Sequence, residues 1–228
     1  MNAQAGGLNG LASRYRQNRY KVLFYTILLA LVSSPVLSAL KFNGLVIELL
    51  LATSLFAAIV PAVSARSRPY LLAGMFFVWI ARPLGVWLEQ PVLSAAALGI
   101  WVAVGLLAMA AALRFAMRAR LVDAEHLYAA LSAYLMAGVY FGLLYWVIEQ
   151  VVPGTFAAPT RFSQTSALYF SFVTLATLGY GDVVPRGDIA RGVAIVEGVG
   201  GQLFLAVLVA RLVSLYSRPS GDQTDQAN

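Results

Sequence analysis

The residues best suited to chemistry form the stretch TLGYGD at positions 177–182, which ends an apolar segment. Gly179 and Gly181 alternate with bulkier residues, and glycine adopts positive φ without the steric cost of a Cβ. An extended strand whose carbonyls all point the same way needs such an alternation of backbone handedness. Because carbonyls arranged in this way can replace the hydration shell of a cation, the stretch predicts a binding site for a dehydrated ion.

Other kinds of chemical site find little support in the sequence. The chain has no cysteine and one histidine, so disulfides, thiolate metal sites and most nucleophile–base pairs are unavailable. The motifs HExxH and GxSxG and a glycine-rich phosphate loop with lysine are also absent. We therefore expect neither an enzyme nor a cofactor, and we expect His126 at a membrane interface rather than as a ligand or proton sensor.

The composition indicates an integral membrane protein. Of the 228 residues 60% are hydrophobic and 11% charged, whereas about a quarter are charged in soluble domains. Six stretches are long enough to span a membrane as helices: Val22–Leu40, Asn43–Val63, Tyr70–Leu88, Val92–Phe115, Leu127–Val151 and Ile189–Tyr216. The first could instead be a cleaved signal peptide, although its apolar run exceeds the usual core of a signal.

A seventh apolar stretch, Arg161–Ala176, is too short to cross a membrane and predicts a re-entrant helix. Irregular backbone at membrane depth is tolerated where it is buried or lines a water-filled path. The negative end of this helix would point at the glycine-containing stretch, which favours cations there. The predicted fold class is thus an all-α membrane protein with a re-entrant helix between helices five and six.

Basic residues are concentrated on one side of this six-helix arrangement. Eleven of the sixteen fall there: Arg14, Arg16, Arg19, Lys21, Arg66, Arg68, Arg114, Arg118, Arg120, Arg211 and Arg218. The positive-inside rule makes that side cytoplasmic and predicts that both termini are cytoplasmic.

The stretch TLGYGD resembles the selectivity filter of potassium channels, with Leu178 where valine is commonest. The surroundings of the motif, over about residues 125–216, also resemble this family: an apolar helix, a pore helix at Ala167–Ala176, the filter and an inner helix with central glycines. The resemblance implies that K⁺ binds the backbone carbonyls of four residues in each chain, with support from neighbouring side chains. The ion-binding residues would be Thr177, Leu178, Gly179 and Tyr180, and the supporting residues Thr174, Gly181, Asp182, Tyr169 and Phe170.

The resemblance also predicts a domain organisation and an assembly. Residues 1–21 would be a cytoplasmic N-terminus, 22–115 a four-helix bundle, 116–126 a cytoplasmic linker, 127–216 the pore domain and 217–228 a short cytoplasmic tail. One filter per chain supplies a quarter of a ring, so a homotetramer in lipid is expected.

Two departures from the family concern the outer aspartate. Many members carry an aromatic pair with an indole donor to this aspartate, whereas the pair here is Tyr169-Phe170. The position that is sometimes a glutamate partner is Val173. The sequence leaves open whether Asp182 bonds to Tyr169, finds another partner or faces water.

The inner helix carries four candidate gating residues, Glu197, Gly198, Gly200 and Gly201. The glycines could form a hinge, for which Gly201 lies nearest the usual position, or they could allow close helix packing. Glu197 could bond to the pore helix in a structural role, or it could face water.

The first four helices lack a conventional voltage sensor. The fourth stretch, Val92–Phe115, has no charge before Arg114, so the arginine ladder of voltage-gated members is missing. Glu48 and Arg82 are expected to form an ion pair within the bundle, with a sensor charge as the alternative. The chain is therefore identified as a six-transmembrane, prokaryotic type of potassium channel without this ladder.

The predicted function is passive, K⁺-selective transport across the plasma membrane. A non-conducting or regulatory subunit, or a structural membrane protein, is the alternative. An ion-coupled transporter is disfavoured because such folds usually place their sites in repeated units, and one pore unit is found here. No basic stripe suggests nucleic acid, and no domain identifies a small-molecule effector.

Overall fold

The computed structural model describes residues 19–39, 69, 72–74, 76, 80–81, 84, 87–88, 91–118 and 124–216. The predicted helix Asn43–Val63 and the predicted ion pair between Glu48 and Arg82 lie outside these residues, as do residues 1–18 and 217–228.

The described helices follow the predicted order, and two short strands lie among them. They are α1 (Arg19–Ala39), α2 (Pro91–Arg118), α3 (Ala124–Val151), β1 (Phe156–Ala157), α4 (Gln164–Leu175), β2 (Val184–Pro185) and α5 (Asp188–Tyr216). In the described part of the chain, three helical segments are long and apolar enough to span a membrane: Ser94–Met117, Ala124–Val151 and Asp188–Val213. The protein is thus mostly helical with several candidate spans, and the six-span arrangement stays a prediction. The two short strands are an addition to the all-α prediction.

Helix α3 is the central element, because α1, α2, α4 and α5 all pack against it. Small side chains make the contact with α2 close: Ala108, Ala112 and Ala116 of α2 are buried, as are Ala129 and Ala133 of α3. Without large side chains between them, the two backbones can approach each other, which is how helices associate where lipid surrounds them.

One glycine of α2 is required by this close approach. A Cβ built on Gly105 would lie 2.0 Å from Cε1 of Tyr140, whose side chain on α3 is buried. The ring therefore occupies the space that any other residue at position 105 would fill.

Polar and aromatic contacts connect α1, α2 and α3 at one end of the bundle. The Tyr20 N–H, in the first turn of α1, donates to the Glu125 carboxylate of α3 at 2.8 Å, which pairs a free helix-end donor with a negative charge. The His126 ring stacks on Phe115 with centroids 4.6 Å apart. Helix α2 extends to Arg118 and α3 begins at Ala124, so each helix reaches into the range 116–126 that was predicted to be a cytoplasmic linker.

The loops on either side of α4 are held by two contacts. The Glu149 carboxylate at the end of α3 accepts hydrogen bonds from the backbone N–H groups of Gly154, at 2.8 Å, and Phe156, at 3.1 Å. Strands β1 and β2 then pair antiparallel, with Phe156 opposite Pro185. The segment that follows TLGYGD is therefore fixed to the end of α3.

Candidate ion-binding site

The pore helix α4 begins with a serine cap. Ser163 is extended, with φ −129° and ψ 170°, and its hydroxyl accepts a hydrogen bond from the Ser166 N–H at 3.2 Å. Such a cap satisfies one of the free N–H groups at a helix start. The helix consequently begins at Gln164, between the start of the predicted re-entrant stretch at Arg161 and the pore-helix start at Ala167 that the resemblance implies.

The end of α4 determines the direction in which the chain enters the TLGYGD stretch. The Thr177 N–H bonds to the Thr174 carbonyl at 3.0 Å, and the Leu178 N–H bonds to the Val173 carbonyl at 2.9 Å. Together with the positive φ of Thr177, these two bonds form a Schellman motif, the usual helix end in which one residue is left-handed. The final carbonyls of α4 are thereby satisfied, and Thr177 is the first residue to leave the helix.

Backbone handedness alternates along the stretch. Thr177, Gly179 and Gly181 have φ values of 56°, 55° and 77°, whereas Leu178 and Tyr180 between them are not in the positive-φ region. This is the alternation that the two glycines predicted. Thr177 extends it to a residue with a side chain, which is uncommon outside glycine.

The carbonyls of this stretch are available to a ligand. Within the described part of the chain, no hydrogen bond is made to the carbonyl oxygens of Thr177, Leu178, Gly179 or Tyr180. These residues are exposed in the single chain, and carbonyls at membrane depth find their partners in protein or in a water-filled path. The described residues also contain no cluster of three or more His, Asp or Glu side chains suited to a metal, so the candidate ligands are backbone oxygens.

Asp182 has a partner in the pore helix. The Tyr169 hydroxyl donates to Oδ2 of Asp182 at 2.9 Å, and Oδ1 accepts from the Val183 N–H at 3.1 Å. Of the alternatives that the sequence left open for Asp182, the structure therefore has the bond to Tyr169. Phe170 lies elsewhere: it is buried, and its ring packs edge-on against Tyr145 with centroids 5.0 Å apart. It supports the back of α4 and not the aspartate.

This hydrogen bond leads to a first prediction. Tyr169→Phe removes one hydrogen bond to a charged acceptor, worth roughly 1.5–3 kcal/mol at most and less here because the site is exposed. We expect unchanged ion selectivity with a conducting state that is several-fold shorter-lived in single-channel recordings. Phe162→Leu, a change in the neighbouring aromatic cluster, is the control. Equal lifetimes for Tyr169→Phe and the unmodified protein would show that the bond does not support the stretch.

Two inner-helix glycines face α4. A Cβ on Gly201 would lie 2.6 Å from Cδ1 of Leu175, and one on Gly198 would lie 3.8 Å from Cγ2 of Thr174. A Cβ built on Gly200 would have no neighbour within 4 Å in the single chain. The position of Gly201 fits the close-packing alternative, and a hinge at these glycines stays a prediction.

A pair of alanine variants separates the two alternatives. Gly201→Ala forces Leu175 to move, and overpacking of this kind costs about 1–3 kcal/mol, whereas Gly200→Ala adds a methyl group in open space. If packing against α4 is the reason for the glycine, Gly201→Ala lowers the thermal stability of the purified protein more than Gly200→Ala does. Equal changes in channel opening with unchanged stability would instead indicate a hinge.

Glu197 is the buried charged residue of the inner helix, with 1% of its surface exposed. Its carboxylate oxygens contact the hydroxyls of Tyr145, at 2.6 Å, and Ser171. This geometry corresponds to the structural alternative for Glu197. Its two partners were not predicted from the sequence, and neither was Tyr134, whose hydroxyl donates to the Leu175 carbonyl at 3.2 Å. A polar group on an otherwise apolar membrane helix was the available signal.

Comparison with known proteins places the similarity in the region of this site. Residues 129–218 match a family model described as "Ion channel", which agrees with the prediction that the chain is not an enzyme. The match extends from α3 through α4 and the TLGYGD stretch to α5, and it covers less than half of the chain.

Three relatives resemble part of the chain. An inward rectifier potassium channel of Paramagnetospirillum magnetotacticum is 35% identical over 91 residues, which are 38% of this chain and 28% of that protein. The two pore potassium channel c of Oryza sativa subsp. japonica is 37% identical over 92 residues, 39% of this chain and 18% of the relative. Protein LctB of Geobacillus stearothermophilus is 47% identical over 58 residues, 25% and 42% of the two chains.

The chain thus spans less than half the length of each of these relatives, and no solved structure matches it. The predicted resemblance to potassium channels is confirmed for the part of the chain that holds the site. Residues 129–218 are similar in sequence to an ion-channel family, and they carry the TLGYGD stretch near their centre.

Proposed function

We propose that the protein is a subunit of a K⁺-selective channel and that the carbonyls of residues 177–180 bind the permeating ion. The observation that carries the proposal is the alternation of positive φ at Thr177, Gly179 and Gly181, beside carbonyls that accept no hydrogen bond from the residues that the structure describes. Carbonyl rings of this kind replace the water around a cation. The bound ion is released because ions at adjacent sites repel each other. Two of the three relatives are named as potassium channels, which supports K⁺ as the ion.

The orientation of α4 supports a cation rather than an anion. The helix ends at Leu175, directly before the stretch, so the negative end of its dipole lies at the candidate site. Asp182 adds a negative charge at the other end of the stretch. Both features raise the local concentration of cations.

A homotetramer is part of the proposal, because a single chain supplies one TLGYGD stretch. Within the single chain, Leu178 and Tyr180 are 56% and 66% exposed. In the most apolar, membrane-length part of each helix, the buried share is 11% for α5 and 50% for α3. In a four-fold ring, copies of α5 and of the stretch would cover each other around a central ion path.

We further propose passive transport without a conventional voltage sensor. Helix α2 carries no charged residue between Pro91 and Arg114, so a displacement of this helix moves little charge through the membrane field. We also propose a location in the plasma membrane with both termini in the cytoplasm, and the distribution of basic residues supports this orientation.

Reconstitution into liposomes tests the proposed function. Purified protein is expected to pass K⁺ down its gradient far faster than Na⁺. Equal fluxes of the two ions would refute selectivity. Absence of flux through a correctly assembled tetramer would favour the alternative, a non-conducting or regulatory subunit.

A further inference from the structure

Glu197 joins three helices behind the candidate site. Its carboxylate on α5 accepts the Tyr145 hydroxyl of α3 at 2.6 Å and contacts the Ser171 hydroxyl of α4. Ser171 also lies 2.7 Å from the Gly138 carbonyl of α3. All three side chains are essentially inaccessible to solvent.

This cluster, Glu197–Tyr145–Ser171, lies on the α5 face that packs against α4. Gly201 is one helical turn after Glu197 and touches Leu175, the last residue of α4. Residues four apart on a helix share a face, so the carboxylate and the glycine contact α4 at successive turns. A displacement of α5 therefore acts on α4 at two points.

The connection from α4 to the carbonyls is short and fixed by hydrogen bonds. Ser171 lies two residues before Val173, whose carbonyl holds the Leu178 N–H at 2.9 Å. Sites that select ligands by geometry need their supporting residues to be fixed within a fraction of an ångström. A buried acceptor without its donors is costly, so the cluster resists separation of the helices.

We propose that Glu197 is a positioning residue for the filter: it transmits the position of the inner helix to α4 and so to the carbonyls of residues 177–180. This inference rests on the proposed K⁺-channel function. Glu197 touches no permeating ion in this role, and it acts through Ser171 and Tyr145.

The test compares Glu197→Ala with Glu197→Gln in lipid bilayers, with the K⁺/Na⁺ permeability ratio and the open lifetime as readouts. Glutamine keeps an oxygen for Tyr145 and offers an amide donor to Ser171, whose hydroxyl can then donate to Gly138. We expect near-normal values for Glu197→Gln and a drop of about tenfold in both readouts for Glu197→Ala.

Single substitutions at the two partners keep the test valid if Glu197→Ala does not fold. Ser171→Ala and Tyr145→Phe should each lower the open lifetime, and each should add little when combined with Glu197→Ala because one unit is already broken. Ser132→Ala is the matched control: Ser132 is equally buried on α3, but its hydroxyl bonds to the Tyr20 carbonyl, away from the filter.

The outcomes separate this inference from the proposed function. Wild-type selectivity and lifetime in Glu197→Ala, equal defects in Glu197→Ala and Glu197→Gln, or a defect in Ser132→Ala as large as in Ser171→Ala would each overturn it. Failure of the unmodified protein to favour K⁺ would instead refute the proposed function.

Discussion

Gly179→Ala is expected to abolish K⁺-selective conduction. Gly179 has a φ of 55°, and this conformation costs an L-residue with a Cβ about 1–2 kcal/mol. A Cβ at this position would meet nothing within 4 Å in the single chain, so within one subunit the strain comes from the backbone. The strain is relieved if the peptide rotates, which turns a carbonyl away from the ion path. Ion flux into liposomes, with K⁺ and Na⁺ compared, measures the loss.

Gly154→Ala provides a matched control for the strain itself. Gly154 has a φ of 83° and likewise has no neighbour within 4 Å of a built Cβ, but it lies in the loop after α3. We expect a similar loss of stability with selectivity retained. Selective conduction by Gly179→Ala would contradict the role of the stretch. Loss of selectivity in both variants would show that backbone strain in any loop is sufficient to abolish selectivity.

Gly142→Ala is expected to displace the pore helix and to lower both the stability and the selectivity of the assembly. A Cβ at this position would lie 2.8 Å from the Leu168 Cα and 3.3 Å from the Ala167 carbonyl. Because both contacts are with backbone, α4 must move as a unit away from α3. Overpacking of this kind costs about 1–3 kcal/mol, and the shifted helix carries Thr177 with it. Thermal unfolding of the purified assembly and its permeability ratio measure the two effects.

Gly99→Ala is the control for Gly142→Ala. Gly99 also lies within a membrane-length helix, α2, but has no neighbour within 4 Å of a built Cβ. Alanine is preferred to glycine in helix interiors by roughly 0.8–1 kcal/mol, so this variant should be as stable as the unmodified protein or more so. Unchanged stability and selectivity in Gly142→Ala would mean that the contact between α3 and α4 is not needed to hold the stretch.

The backbone conformation of the candidate site was largely predictable, because glycines in such a stretch indicate positive φ. Gly179 and Gly181 indicated positive φ at alternate positions, and both have it. Thr177 was not predicted to share this conformation, since a residue with a Cβ seldom does. Its φ follows from the way α4 ends, where the N–H groups of Thr177 and Leu178 turn back to cap the helix.

Side-chain partners were less predictable, because they come from distant parts of the chain. Tyr145 and Ser171 are 52 and 26 residues from Glu197, and no local pattern relates them to it. The bond from Tyr169 to Asp182 was one of three alternatives for the aspartate, and a choice among them required the direction of α4 relative to the stretch. A buried polar group is expected to have a hydrogen-bond partner, but the packing of the helices determines which residue that partner is.

The bounds of the elements show the same division. Hydropathy located α3 and α5 to within a few residues, because apolar length is a property of the sequence itself. The start of α4 at Gln164 lies between the two predicted starts, Arg161 and Ala167, because the polar Ser163 cap and not apolar length determines it. Strands β1 and β2 were missed because two-residue strands have no periodicity to detect.

The most direct test is an experimental density map of the assembly purified in Tl⁺ or Rb⁺, which are heavier ions of similar size to K⁺. The account predicts four chains around one axis, with ion density on that axis between successive rings of carbonyls from residues 177–180. A map in which this stretch faces lipid or bulk water, away from any symmetry axis and without ion density, would contradict it.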